Sequence, residues 1–312
     1  MAETTQVVVV GSLHYDIMVR APYLPRPGET LIGQRWWWKP GGKGGNAAMA
    51  AARHGAAVEM IGCLGEDGFG ERLREQLAAA GVGLGHLRSV AAGSGMSVAI
   101  TQEDGDYAAV VVSGANRDLD AAQVAASADI LRDSRVLLLQ NEIDEQANAA
   151  AAELAREAGT TVILNAAPAR AMGAMSGLTD VLVVNTVEAE MLGAGPVGDL
   201  ATAADAAQVL LTVAPIVIVT AGGAGVAAAT GAERWTVSAH PVEAPDSHGA
   251  GDVFVGALAA RLAGDAPLPD ALRYANAAAA LHVGTPETER ATIGTAAVEA
   301  LLEGPGEAAT GS

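Results

Sequence analysis

The 312-residue chain is long enough for one large α/β unit, and half of it is apolar with only 3% aromatic residues, so a core of many small side chains is expected. That composition excludes disorder, and the single cysteine, Cys63, excludes a disulfide scaffold and fits a reduced, cytoplasmic setting. With 36 acidic against 18 basic residues the net charge is −18; no basic cluster offsets it, which argues against a nucleic-acid partner and requires any anionic ligand to be held locally.

The opening MAETTQVVVVGS places Glu3 where a secretory signal would want positive charge, and it predicts a first strand, Val7–Val10. From Leu13 to Trp38, Pro22, Pro25 and Pro27 followed by GETLIGQRWWW predict loops and exposed strands. GGKGGNAAMAAARHGA begins with glycines, continues as an alanine-rich helix and stops at Gly55, ahead of a strand VEMIGCLG. DGFGERLREQLAAAG predicts another helix, and MSVAITQ and YAAVVVSG flank EDGD as the arms of a hairpin.

From about Leu119 the rhythm is regular. It predicts a helix to Leu131, strand Arg135–Gln140, helix Asp144–Ala158, strands Thr161–Asn165 and Val181–Asn185, helices Val187–Leu192 and Ala201–Val213, and strand Ile216–Thr220. The runs VLLL, TVIL, VLVV and IVIV are unbroken and apolar, as in strands covered on both faces, so the expected fold is α/β: a doubly wound, mostly parallel sheet flanked by helices. A second hairpin-like region spans about Val226–Ala239, helices follow at Gly249–Leu262, Leu268–His282 and Thr295–Leu302, and the tail GPGEAATGS is expected to fray. Ala206 to Ala232 is uncharged over more than the roughly 20 residues a membrane helix needs. Pro215, Gly222, Gly223 and Gly225 break it, so no membrane association is expected.

Ligands of such a sheet sit beyond the carboxyl ends of its strands. Asn165, Asn185 and Thr220 each end a predicted strand there, and Glu142 lies just past another. The strongest local signal is DSHGAGDVFVGALAARLAG, where Gly249, Ala250 and Gly251 lead a helix with little side chain to obstruct its N–H groups. Asp252 follows in the first turn, and two readings stand. It is a capping carboxylate after a tight turn, or it is a base beside an anion hole, the pairing that phosphoryl transfer to an alcohol requires. GGKGGN lacks Walker A spacing, and VVVVGSLHYD offers a single glycine where a dinucleotide fingerprint has G-x-G-x-x-G, so a dehydrogenase is weakly supported.

GGKGGNAAMAAARHGAAVEMIGCLGEDGFG and DSHGAGDVFVGALAARL together resemble the paired signatures of the ribokinase family, also called PfkB carbohydrate kinases. GSLHYDIMV, PRPGET, LQNEID, LNAAPAR, VNTVEAEML and TAGGAG extend the resemblance over nearly the whole chain. It implies a single ribokinase-like α/β domain over 1–312 with a small β-sheet lid from about 18–38 and 96–112, a lid often used for homodimerisation. It implies an ATP-dependent kinase for a primary hydroxyl of a small sugar, ribose to ribose 5-phosphate foremost. The alternatives are another acceptor (a ketose such as fructose, 2-keto-3-deoxygluconate or a nucleoside) and a non-catalytic sugar or nucleotide sensor.

Carried over by position, the resemblance implies Asp252 as catalytic base and Gly249, Ala250 and Gly251 as the anion hole. His14, Asp16, Gly42, Lys43, Asn46 and Glu142 would meet the sugar; Asn185, Thr220, Gly222, Gly225 and Asn276 would meet ATP. Asn185 and Glu188 would organise Mg²⁺ through water, and Asp246 with the carbonyl of His248 would hold K⁺. For Lys43 the plain alternative is a loop charge, but it is one of only two lysines, with Lys39. The chain departs from the family at His14, where asparagine is typical, and in the loop HVGTPETERATIG, which carries Glu287 and Glu289. Trp36, Trp37 and Trp38 alternate faces along a strand, and a lid-to-lid contact is favoured over sugar stacking.

Overall fold

The first strand, β1 (Val7–Val10), is buried on both faces: Val7 and Val9 join one layer of the core, and Val8 and Val10 join the other. The computed structural model describes residues 6–102, 107–243 and 248–304. Glu3, the expected turn at 103–106, Asp246 and the tail at 305–312 lie outside the described residues. After β1 come β2 (His14–Arg20), β3 (Arg35–Gly41), α1 (Lys43–Arg53), β4 (Val58–Gly65), α2 (Gly68–Ala79), β5 (Leu87–Val90), β6 (Met96–Thr101) and β7 (Tyr107–Val112). The middle of the chain forms α3 (Ala121–Ala125), α4 (Ala128–Asp133), β8 (Val136–Gln140), α5 (Glu145–Glu157), β9 (Thr161–Asn165), β10 (Val181–Asn185), α6 (Thr186–Met191), α7 (Leu200–Val209) and β11 (Ile216–Thr220). β12 (Gly225–Ala229), β13 (Arg234–Ser238), α8 (Ala250–Ala263), α9 (Leu268–Gly284) and α10 (Thr295–Glu303) follow.

Nine strands form one sheet in the order β13-β12-β11-β10-β9-β8-β1-β4-β5. Every pair in it is parallel except those made by β12 and β13, which extend one edge as an antiparallel hairpin. From β1 the chain adds β4 and β5 on one side and β8 to β11 on the other, so the gap between the loops after β1 and β8 is a topological switch point. One face of the sheet is covered by α1, α8 and α9, the other by α3, α5 and α7, the two-layered cover that the unbroken apolar strands require.

Two expected helices differ. The stretch from Leu119 to Leu131 splits into α3 and α4, because Ser127 leaves helical geometry and its hydroxyl bonds His86 Nδ1 (2.9 Å) instead of capping α4. The helix expected to reach Val213 stops at Val209 and tightens into a 3₁₀ turn, Leu210–Thr212, ahead of Pro215, which disfavours helical geometry just before it. The uncharged 206–232 segment is divided between the end of α7, that turn, β11, a glycine turn and β12. No helix among the described residues is long and apolar enough to cross a membrane.

β3, β2, β6 and β7 form a separate four-stranded sheet in that order. Its register sets Lys39, Asp16 and Ser97 side by side on one face, with Trp37, Met18 and Ala99 in the next rung but one. The opposite face carries Tyr15, Ile17, Trp36 and Trp38. Tyr15 is stacked between Trp38 (4.6 Å between ring centroids) and Phe69 of α2 (4.1 Å), which seats this sheet on the body. The three tryptophans therefore part company: Trp38 packs inward, Trp36 is 68% exposed, and Trp37 faces the other way.

Candidate active site

The glycines of GGKGGN let the start of α1 press against the β1–β2 connection. Gly42 caps α1 with φ +83°, and a Cβ there would stand 2.8 Å from the carbonyl oxygen of Ser12; one on Gly44 would stand 2.7 Å from Ser12 N. That approach places Glu142, past the end of β8, across the switch point. Glu142 Oε2 accepts from Ser12 Oγ (2.5 Å) and from Lys43 N (2.9 Å), with His14 Nδ1 3.9 Å away. Gln140 Oε1 accepts from Glu142 N (2.8 Å), and Asn116 holds Leu13 by both its N–H and its C=O, each at 2.8 Å. One carboxylate thus ties three segments distant in sequence.

The second centre is the start of α8. Gly249 is left-handed at φ +81°, no side chain caps the helix, and nothing stands within 4 Å of where a Gly251 Cβ would lie. Asp252 follows, 6% exposed. Asn46 Nδ2 donates to its Oδ2 (2.9 Å), and Lys43 Nζ lies 4.0 Å from its Oδ1. Burial raises the Asp252 carboxyl above its ordinary range against the pull of Lys43 and the Asn46 bond. Burial also works against charge on Lys43, but Asp252, Glu142 and Glu188 outweigh it and hold the ammonium more firmly protonated than usual.

Asp16 reaches the same region from the small sheet. Ser97 Oγ donates to its Oδ1 (2.5 Å), and its carboxylate occupies the space a side chain at Gly41 would need. His14 is 4% exposed, and its Nε2 has no hydrogen-bond partner among the described residues. A buried ring nitrogen left so is satisfied by a ligand hydroxyl or a water.

Asn185 and Glu188 form a capping box: Asn185 N donates to Glu188 Oε2 and Glu188 N to Asn185 Oδ1, both at 2.8 Å. Burial raises the Glu188 carboxyl, opposed by that backbone bond and by Lys43. Among the described residues no three His, Cys, Asp or Glu side chains are grouped to hold a metal ion. Asn185 and Glu188 fit an ion that keeps its own waters and takes most oxygens from a nucleotide, as Mg²⁺ does. Thr220 sits beside Asn185 in register and donates to Val184 O (3.4 Å). Gly222 has open space around it, while the backbone of β13 fills the space beside Gly225, so its pairing requires that glycine. Asn276 Nδ2 donates to Ser238 O (2.8 Å), tying α9 to the end of β13. The carbonyl of His248 accepts from His282 Nε2 (3.1 Å).

The sequence-predicted residues around Lys43 therefore meet: Glu142, Asp252 and Glu188 lie within its contacts or its electrostatic reach, and Asn46 bonds Asp252. Gly225 and Asn276 are engaged in the fold itself. Four supporting residues escape sequence reading. Ser12 and Gln140 lie inside the recognised GSLHYD and LQNEID, which is a faint signal; Ser97 and Asn116 stand in ordinary strand and turn sequence and carry none.

Residues 4–293 match the family described as pfkB family carbohydrate kinase. Relatives include a ribokinase from Haemophilus influenzae, 34% identical over 278 residues, covering 88% of this chain and 91% of the relative. A ribokinase from Bacillus subtilis is 33% identical over 278 residues, covering 89% and 92%. Among solved structures, Arabidopsis thaliana ribokinase complexed with ribose and ATP superposes with a TM-score of 0.90 at 29% identity, over 96% of this chain and 99% of that one.

Proposed function

The chain belongs to the pfkB family of carbohydrate kinases, and from that premise we propose that it transfers the γ-phosphoryl group of ATP to a primary hydroxyl of ribose, giving ribose 5-phosphate. The observation that carries this reading is Asp252: a buried carboxylate at the mouth of an uncapped, glycine-led helix, oriented by Asn46 and faced by Lys43.

Asp252 takes the proton of the attacking hydroxyl, and its raised pKa keeps it a better base than an ordinary aspartate while Lys43 holds it ionised. The amides of Gly249, Ala250 and Gly251 receive the charge on the phosphoryl oxygens in flight. Asp16, His14 and Glu142 bind and orient the sugar, and Asn46 keeps Asp252 turned toward it. Asn185 and Glu188 would hold Mg²⁺, through water, and the ion would neutralise the nucleotide's phosphate charge. Thr220, Gly222 and Asn276 line the way to the rest of the nucleotide. K⁺ belongs to the same reading, with the His248 carbonyl, which accepts from His282 Nε2, as one of its candidate oxygen ligands. The small sheet acts as a lid whose closure keeps water from the phosphoryl group, and its outer face, with Trp36 and Val110 more than two-thirds exposed, is where a second copy of the chain would pack.

ADP release measured with ribose, 2-deoxyribose, fructose, 2-keto-3-deoxygluconate and a nucleoside tests the acceptor. Ribose is expected to have the highest kcat/KM. A higher value for another acceptor moves the substrate and leaves the chemistry standing; no release with any of them overturns the phosphotransfer reading. The unpartnered Nε2 of His14 favours another acceptor as the second reading, because this pocket position departs from the family's asparagine.

A further inference from the structure

Glu287, in the loop after α9, touches the small sheet from across the cleft. Its Oε2 accepts from Trp37 Nε1 (3.2 Å), and its Oε1 lies 3.9 Å from Lys39 Nζ. Trp37 and Lys39 are two positions apart on β3, so they share the face that also carries Asp16, and Lys39 is the register partner of Asp16. The guanidinium of Arg35 lies over the Trp37 ring at 4.7 Å and fixes the indole so that its N–H points at Glu287. The Lys39 side chain is only 16% exposed, so its charge is partly desolvated and depends on that carboxylate more than a surface lysine would. Glu287 thus binds both side chains with one group.

Position gives this contact leverage. The small sheet joins the body at the end that holds His14 and Gly41, where Tyr15 stacks on Phe69. Trp37 lies further out along β3, about 13 Å from Gly41 at strand spacing. A tie there resists swinging of the sheet far better than one at its root. The other end of the tie follows α9, whose His282 bonds the His248 carbonyl next to Gly249. The acceptor-side sheet and the segment bordering the mouth of α8 are therefore fastened to the same stretch of chain.

We infer that Glu287, Trp37 and Lys39 form a latch that ties the small sheet to the body across the cleft and, resting on the kinase reading above, positions Asp16 for the acceptor. These three are positioning residues. Without the latch the acceptor must itself draw the sheet shut, which weakens apparent binding and leaves the saturated rate nearly unchanged.

The test uses the full chain with steady-state kinetics and the tryptophan emission of the unliganded protein. Glu287→Ala should raise the ribose KM by roughly three- to tenfold with kcat within about twofold, leave the ATP KM unchanged, and red-shift the emission as Trp37 gains water. Glu287→Gln, which keeps an acceptor for Trp37 but no charge for Lys39, should fall between. Lys39→Glu alone sets two carboxylates together and should raise the ribose KM further; adding Glu287→Lys should bring it back down. An unchanged KM and emission in Glu287→Ala, or no relief in the charge-swapped pair, overturns the latch. If the unaltered protein releases no ADP with ribose, the proposed function fails, while the emission arm still decides the latch.

Discussion

Asp252 shows how much one side chain's behaviour depends on its surroundings. A carboxylate at a helix start is ordinarily stabilised as an anion by the helix dipole; here burial pushes its pKa up, and Lys43, the Asn46 bond and His248 push it back. In the proposed role Asp252 works ionised, so activity should fall as pH drops through its pKa, and the fall should begin above the ordinary aspartate value of 3.8. In Lys43→Met the nearest cation is gone, Asp252 is raised further, and the acid limb of kcat/KM should move to higher pH; a limb that stays or moves down shows that Lys43 does not set this titration. Asp252→Asn should cost roughly 10²- to 10⁴-fold in kcat with the ribose Kd, read by calorimetry, almost unchanged. Asp252 could be singled out in the sequence because glycines and an acid coincide at one helix start. Ser97, which fixes Asp16 just as firmly, could not, since a serine in a strand looks like any other until its partner strand is known.

The pairing of Asn46 with Asp252 is a matter of two helices touching. α8 crosses α1 at Gly256, where a Cβ would come within 2.4 Å of the Ala47 carbonyl oxygen and 2.7 Å of the Ala50 Cβ. Asn46 lies beside that crossing on α1, and Asp252 lies about one turn before it on α8. Gly256→Ala should therefore cost about 2 kcal/mol in stability by overpacking, measured by denaturant unfolding, and lower kcat by prising Asn46 from Asp252. If stability falls and kcat does not, the crossing is structural alone. Most elements were legible from periodicity and glycine punctuation, and β1, β4, β9, β10 and β11 lie where the sequence puts them. The α3–α4 break was not, because it depends on His86, which is distant in sequence, capturing Ser127.

At the scale of the whole molecule, the outer face of the small sheet is the surface proposed above for a second copy of the chain. Trp36 and Val110 are exposed there at 68% and 69%, with Val112 beside them, on a chain whose net charge of −18 disfavours casual self-association. Sedimentation should find a dimer, and Trp36→Glu with Val110→Glu should give a monomer; a chain that sediments as a monomer from the start removes the lid-to-lid contact. The sequence by itself determined the doubly wound sheet, through apolar runs that only a doubly covered strand tolerates, and the family, through two glycine-led signatures in order. It also marked Asp252, Lys43 and Glu142, because scarce or acidic residues beside glycines are conspicuous in a chain of small apolar ones. The tertiary structure alone decided which of these meet: that Glu142 bridges the switch point, that Lys43 stands among three carboxylates, that Trp38 packs against Tyr15 while Trp37 turns to Glu287, and that Glu287 reaches back across the cleft to Trp37 and Lys39. Periodicity and punctuation are local properties of a chain, whereas hydrogen bonds between residues a hundred or more positions apart exist only once the helices and strands have packed.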